Sequence, residues 1–440
     1  MVVHRCGPWF SRKVDLRIFC IFVNLLLCIG PFARADDWPQ WRGPARDGVA
    51  GVSGLPKDWP AAAPSPAWTA DVGEGYSGPV ISKGRVFVMG REAGSMETCL
   101  CFDAATGKRL WRQAYSVSYT PVDPRAGTGP KSTPTVDKDR VYMLGIGGMF
   151  TCLGVETGKV LWQHDFTKDY WGIEKDEAGA DKWFPVCGVA ASAIVDGQQV
   201  IVPIGGKKGG TFAAFDRNTG IMLWHALADR SSYGSPIIAS LSGARQLVAF
   251  TGSRMVGINL ATHELIWEYP FPALFEQTIT TPIIWKDIVV ISGELRPTIA
   301  LRITESGSKI RTETVWRNPD LKAYLASPVI FKNHLVGVDS MAKRIVCVDL
   351  QTGQTAWTSP RIGGYVSLVV AGDRLLAQQI TGELIIIRAD PSKYDEIGRW
   401  KLSSAGEVWS YLAVSGSKLF VKDKEHLLCF DLGPRTASAK

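Results

Sequence analysis

The sequence holds few of the residues that carry metal, redox or nucleophile chemistry. Its six histidines form no H-E-x-x-H run, which excludes a zinc-hydrolase helix. No Ser/His/Asp arrangement can be assembled from them by spacing either. Of nine cysteines, three (Cys6, Cys20, Cys28) fall in an N-terminal leader. The other six, Cys99, Cys101, Cys152, Cys187, Cys347 and Cys429, contain no C-x-x-C, no adjacent pair and no C-x-x-C-H. Thiolate metal sites and covalent haem are thereby not expected. A G-x-x-x-x-G-K-[ST] phosphate loop is also missing.

Long hydrophobic runs are scarce as well. The one present, IFCIFVNLLLCIGPF at 18–32, follows Arg5, Arg12, Lys13 and Arg17 and precedes Ala33-Arg34-Ala35. This pattern predicts an export leader over residues 1–35, cleaved near Ala35, with an uncleaved anchor as the alternative. Leu27 before Cys28 is too large for a lipid-attachment signal. Without the leader the chain carries 44 basic and 41 acidic residues. A balance so close to neutral points to neither nucleic acid nor an anionic membrane surface. The mature chain is expected to be a periplasmic or envelope monomer with no transmembrane domain.

What the sequence does have is glycine (45), proline (25) and tryptophan (16), a mixture suited to short strands, tight turns and layered aromatic cores. One phrase recurs: CFDAATGKRLW at 101–111, CLGVETGKVLW at 152–162, AFDRNTGIMLW at 214–224, GINLATHELIW at 257–267 and CVDLQTGQTAW at 347–357. Degraded copies end at Trp316 and Trp400. Trp111, Trp162, Trp224, Trp267, Trp316, Trp357 and Trp400 are therefore 41 to 62 residues apart, and Trp68 stands 43 before the first. Before each copy lies a second phrase, as in SGPVISKGRVFV and STPTVDKDRVYM, with two β-branched runs around a polar turn. It occurs eight times. Four antiparallel strands every 40 to 50 residues describe a propeller blade. The C-terminus supplies a third strand with no tryptophan strand after it, and Trp68 a tryptophan strand with no blade before it. The expected fold is all-β: an eight-bladed propeller of four-stranded blades over residues 36–440, closed by N-terminal strand donation.

The recurring phrase resembles the pyrroloquinoline quinone (PQQ) propeller repeat, found in quinoprotein dehydrogenases and in cofactor-free relatives such as the outer-membrane β-barrel assembly lipoproteins. DWPQWRGPARDGV (37–49) is similar to the start of exported PQQ-like propellers. The resemblance covers essentially the whole mature chain and implies the fold more strongly than any activity. A quinoprotein dehydrogenase would imply PQQ, a calcium ion, an aspartate base and commonly an adjacent cysteine pair. No such pair exists here, and the acidic residues show no pattern that would ligate calcium. The expectation is a non-catalytic scaffold without cofactor that binds envelope or outer-membrane proteins. A PQQ-dependent oxidoreductase is the alternative.

Within the repeat, Gly107, Gly158, Gly220 and Gly353 read as positive-φ turn residues, with Thr106, Thr157, Thr219 and Thr352 capping the turn. The tryptophans read as wedges between blades. Cys101, Cys152, Cys347 and Cys429 share a position with Ala214 and Gly257, so a small buried side chain is expected there, letting blades approach. Residues that break the repeat are the candidates for binding. The loop at 163–186 holds Tyr170, Trp171, Trp183 and Phe184 among charges, either as a partner patch or as a loop folding its aromatics over the rim. Tyr76, Tyr233, Tyr365 and Trp409 precede inner strands and are expected around one channel mouth.

Overall fold

The computed structural model describes residues 37–51, 55–56, 59–92, 94–120, 127–171, 184–206, 208–306 and 309–433 besides Met1. Residues 36–440 form one compact unit. Eight antiparallel sheets succeed one another along the chain. Blade 1 comprises Val80–Ser82, Arg85–Glu92, Met96–Asp103 and Arg109–Ser116. Blades 2 to 7 begin at Thr135, Ile194, Ile237, Ile283, Val329 and Val366. Blade 8 takes Ala413–Ser415, Lys418–Lys422 and His426–Asp431 from the C-terminus and Trp68–Asp71 from the N-terminus. In that joint Trp68 faces Cys429 and Asp71 faces His426. The propeller, its blade count and its closure are those the repeat predicts. Among the described residues no helix is long and apolar enough to cross a membrane.

The apolar core lies between blades. Phe87, Met89 and Trp111 of blade 1 pack on Val141, Met143 and Leu153 of blade 2. Trp162 and Phe150 of blade 2 meet Phe215 and Val200 of blade 3 in the same way. Each sheet thus buries both faces, as the inner strands' continuous apolar runs require.

The recurring phrase makes the joint. Asp103 Oδ1 accepts the Thr106 amide and hydroxyl, each at 2.8 Å, and the Ala105 amide at 3.1 Å. These donors hold the Asp103 carboxyl below its usual range, the Thr106 hydroxyl contributing most. The aspartate is the main cap, while the threonine hydroxyl orients it and accepts the Lys108 amide at 3.3 Å. The indole of one blade then lies on the turn of the next. A Cβ at Gly107 would sit 2.6 Å from Trp68, at Gly158 2.6 Å from Trp111, at Gly220 2.7 Å from Trp162 and at Gly353 2.5 Å from Trp316. Trp111 Nε1 donates to Val155 O at 2.8 Å and Trp316 Nε1 to Leu350 O at 2.9 Å. Glycine is needed twice over there, for its positive φ and for the indole. Trp224 instead stacks on His263, with ring centroids 4.6 Å apart.

The small buried position has a different reason from the expected one. Cys101 faces Trp111, Cys152 faces Trp162, Ala214 faces Trp224 and Cys347 faces Trp357 across strands of the same blade. A Cβ at the equivalent Gly257 would fall 2.1 Å from Trp267 Nε1. The small side chain therefore makes room for its own blade's indole.

Candidate functional site

The inner strands surround the axis, all running from one end (the mouth) to hairpin turns at the other (the turn face). At their starts the Ser/Thr of each second phrase links blades through hydroxyls. Gly78 N–H donates to Thr133 Oγ1 at 3.1 Å, Thr133 N–H to Ser192 Oγ at 2.8 Å and Ser192 N–H to Ser235 Oγ at 2.9 Å. Thr281 N–H donates to Ser327 Oγ at 2.9 Å, and Ser327 N–H to Tyr411 Oη at 2.6 Å. Inner strands of neighbouring blades diverge too little to leave these amides to water, so a hydroxyl acceptor satisfies each one.

The turn face is closed by residues 37–50. The backbone of Trp38 pairs with Ile81, Pro39 O accepts Val136 N–H at 2.7 Å, and Val49–Ala50 adds a parallel fifth strand to blade 7 at Val370 and Ala371. From this cap three side chains point up the channel. Trp41 Nε1 donates to Thr281 Oγ1 at 2.8 Å, and its ring meets Tyr411 edge-on at 4.5 Å. Arg46 donates to Ala193 O at 2.7 Å and Ser192 O at 3.0 Å. Arg42 donates to Pro328 O and to Asp47 O, the latter at 2.9 Å. Residues of seven blades touch this one segment. Arg42 and Arg46 are 1% and 3% exposed, and neither has an ion pair among the described residues. Burial lowers the Arg46 guanidinium to about 9, and neighbouring Arg42 adds to the effect.

At the mouth each connection into an inner strand contributes one residue or two. Tyr76 meets Trp409 edge-on at 6.3 Å, Trp409 lies 5.0 Å from Tyr365, and Tyr365 lies 6.4 Å from Tyr324. Tyr324 Oη donates to Gln277 Oε1, and Gln277 Nε2 approaches Cys187 Sγ at 3.7 Å. Tyr233 Oη accepts the Cys187 amide at 3.2 Å, and Lys131 Nζ donates to Cys187 O at 2.8 Å. Lys131 Nζ lies 5.9 Å from the Tyr76 ring centroid and 5.6 Å from that of Tyr119, which completes the circle. Arg91 Nη1 donates to Tyr119 O at 3.4 Å and to Thr128 O at 2.6 Å. Burial lowers Lys131 to about 8 and raises Tyr76 and Tyr119 to about 12.

The four aromatics aligned from the sequence (Tyr76, Tyr233, Tyr365, Trp409) therefore lie on one ring. Tyr119, Lys131, Cys187, Gln277 and Tyr324 join it. They stand in the same connections, but their residue types differ, so no alignment by aromatic character finds them. Around the ring the exposed apolar residues Val186, Leu274, Leu295, Met341 and Tyr365 border the mouth face.

The 163–186 loop is brought together differently. Trp171 is fully buried, its Nε1 bonded to Ile204 O at 2.8 Å and its ring edge-on to Phe166 and Phe184. Trp171 is thus a core residue of the seam between blades 2 and 3, not an exposed docking side chain. Tyr170 and Phe184 are half-buried against the same cluster, and Trp183 lies outside the described residues.

The sequence model of one protein family, described as outer membrane protein assembly factor BamB, matches residues 58–167 and 95–359. The chain belongs to that family. Among solved structures, BamB from Moraxella catarrhalis superposes with a TM-score of 0.57 at 13% identity, covering 85% of this chain and all of that one. Quinohemoprotein alcohol dehydrogenase from Comamonas testosteroni gives 0.65 at 11%, covering 93% and 82%. A europium-containing methanol dehydrogenase gives 0.52 at 11%, covering 90% and 98%. No curated protein matches in sequence. The PQQ-like propeller fold is therefore common to BamB and to quinoprotein dehydrogenases, and the likeness to the latter is one of fold alone. Among the described residues no group of three His, Cys, Asp or Glu could hold a metal ion, and cations line the axis.

Proposed function

We propose that this BamB-family propeller is an exported, non-catalytic scaffold that binds other proteins of the cell envelope through its mouth face. The observation that carries this reading is the mouth ring, where Tyr365 is exposed and Tyr76, Tyr324 and Trp409 are half-buried, bordered by exposed Val186, Leu274, Leu295 and Met341. Tyrosine and tryptophan at a protein surface give large rigid contact area with a polar handle, the composition of binding hot spots. Family membership supports an envelope setting, and the leader-like N-terminus supports export.

Purified protein with Tyr365→Ala and Trp409→Ala is compared with an outer-strand control, Leu223→Ala, in affinity capture from envelope extracts with the captured proteins identified. The mouth variant loses a partner that the control retains. Equal capture by both variants removes the reading. Titration with PQQ and Ca²⁺, followed by cofactor absorbance, addresses the oxidoreductase alternative, and stoichiometric binding favours it over the scaffold.

A further inference from the structure

Seven of the eight blades seat a tryptophan at one register place, across from a small residue of the third strand, as Trp111 faces Cys101 and Trp357 faces Cys347. Blade 7 does not. Its bulge follows the pair Ile386 and Gly398, as that of blade 1 follows Cys101 and Trp111, so Gly398 holds the tryptophan's place. Trp400, which the repeat counts among the wedges, stands two residues beyond, opposite Leu384. Its Nε1 donates to Pro60 O at 3.2 Å and not to the next blade's turn. Gly398 answers no backbone demand, because its φ lies outside the left-handed region. A Cβ there would meet only Ile386, at an ordinary contact distance of 3.6 Å. A glycine inside a strand costs stability, and where its backbone needs none it marks a close approach by another group.

What the glycine leaves is a cleft of about 290 Å³, lined by Gly398, Ile386, Ile397, Arg374 and the segment Trp59-Pro60-Ala61. Ile386 is buried, while Ile397, Pro60 and Ala61 are exposed at the rim. Trp59 is one wall. Its ring stacks on Trp400 with centroids 5.3 Å apart, and the Arg374 guanidinium carbon lies 5.5 Å from its centroid. Arg374 pairs with Asp373, Arg388 with Asp395 and Arg399 with Glu396, so charge around the cleft is balanced. Selection there falls to shape and to aromatic contact. The volume is near the lower end of small-molecule clefts, roughly 300–1,000 Å³. The other blades show which group this part of a seam seats: a flat indole against the sheet. We propose that the cleft at Gly398 binds a small neutral molecule with a planar aromatic ring system of indole size. The ring packs on Ile386 and Trp59, where blade 7 lacks a wedge of its own. This site lies on an outer strand and is independent of the mouth.

The test uses the mature protein and 5-fluoroindole, read by fluorine NMR line broadening. Unlabelled indole displaces the probe, and cyclohexylmethanol, neutral but not flat, displaces it roughly tenfold less well. Gly398→Trp, which restores the repeat's wedge, abolishes the broadening. Gly398→Val, a residue that suits a strand, fills the same space with less bulk and does likewise. Trp59→Ala weakens binding, and Leu223→Ala on the outer strand of blade 3 leaves it unchanged. Thermal melts confirm that each variant folds. The proposal is overturned if the intact protein does not broaden the probe, or if broadening survives in both Gly398 variants. Equal displacement by indole and cyclohexylmethanol also overturns it. So does binding of N-acetyl-tryptophanamide without binding of 5-fluoroindole, since the occupant would then be a residue of a partner chain.

Discussion

Replacing Gly220 and Gly243 in turn by alanine separates the two demands the blade joint makes on its glycine. Both residues have nearly the same backbone, with φ of 74° and 73°. A Cβ at Gly243 meets nothing within 4 Å, whereas one at Gly220 lies 2.7 Å from Trp162 Cδ2. Gly243→Ala therefore carries only the left-handed backbone cost of roughly 1–2 kcal/mol. Gly220→Ala adds the displacement of a packed indole, about 1–3 kcal/mol. At about 2 cal/mol/K per residue, a unit of roughly 400 residues has an unfolding entropy near 0.8 kcal/mol/K, so 1 kcal/mol moves the melting temperature by about 1 °C. Scanning calorimetry should show Gly243→Ala melting about 1–2 °C lower and Gly220→Ala about 2–6 °C lower. In a Trp162→Ala background, itself about 3–5 kcal/mol less stable, Gly220→Ala should shrink to the Gly243→Ala value. Equal shifts for the two single variants would refute the reasoning, because the indole would then contribute nothing.

Three further outcomes are expected. In native protein a maleimide labels Cys187, the half-buried thiol, while Cys99, Cys101, Cys152, Cys347 and Cys429 react only after unfolding, as mass spectrometry of labelled peptides reads directly. Lys422 is fully buried, with Nζ donating to Gly75 O at 2.6 Å and to Asp423 O and Lys424 O at 3.1 Å, and burial lowers it to about 7. The unfolded lysine binds its proton more tightly, so stability rises with pH from about 7 to about 10.5, and Lys422→Met flattens that rise in urea melts. Deleting residues 37–50 removes the hydrogen bonds of Trp38, Arg42, Arg46 and Gly48, and limited proteolysis then cuts the inner-strand turns faster than in intact protein.

The propeller was legible because each blade restates the same physical problem. A turn with Asp, Thr and Gly and an indole ten residues from the phrase's start leave a periodic trace that composition cannot hide. The cap was not legible, since DWPQWRGPARDGV occurs once and its partners are scattered from Ile81 to Tyr411. Half of the mouth was visible because Tyr76, Tyr233, Tyr365 and Trp409 share a residue class. Lys131, Cys187 and Gln277 fill equivalent places with unlike chemistry, and only the closed circle of contacts relates them. Trp171 misled because a loop mixing aromatics with charges has the composition of a docking patch. The slot that buries it is left by Gly148, whose Cβ would stand 2.4 Å from the ring, and nothing near Trp171 in the sequence announces that slot.

The order of synthesis gives the N-terminal segment a further meaning. Residues 37–50 and Trp68–Asp71 are made first, yet Val370 and Cys429, against which they rest, are made near the end. Their backbone groups and indoles stay exposed until the last blade exists, so a chain cut short at any earlier blade keeps an open edge and a loose N-terminal segment. Completion is thereby written into the molecule as a contact between its beginning and its end. A truncated product differs from a finished one on its surface, where proteases and chaperones act, and not only in its mass.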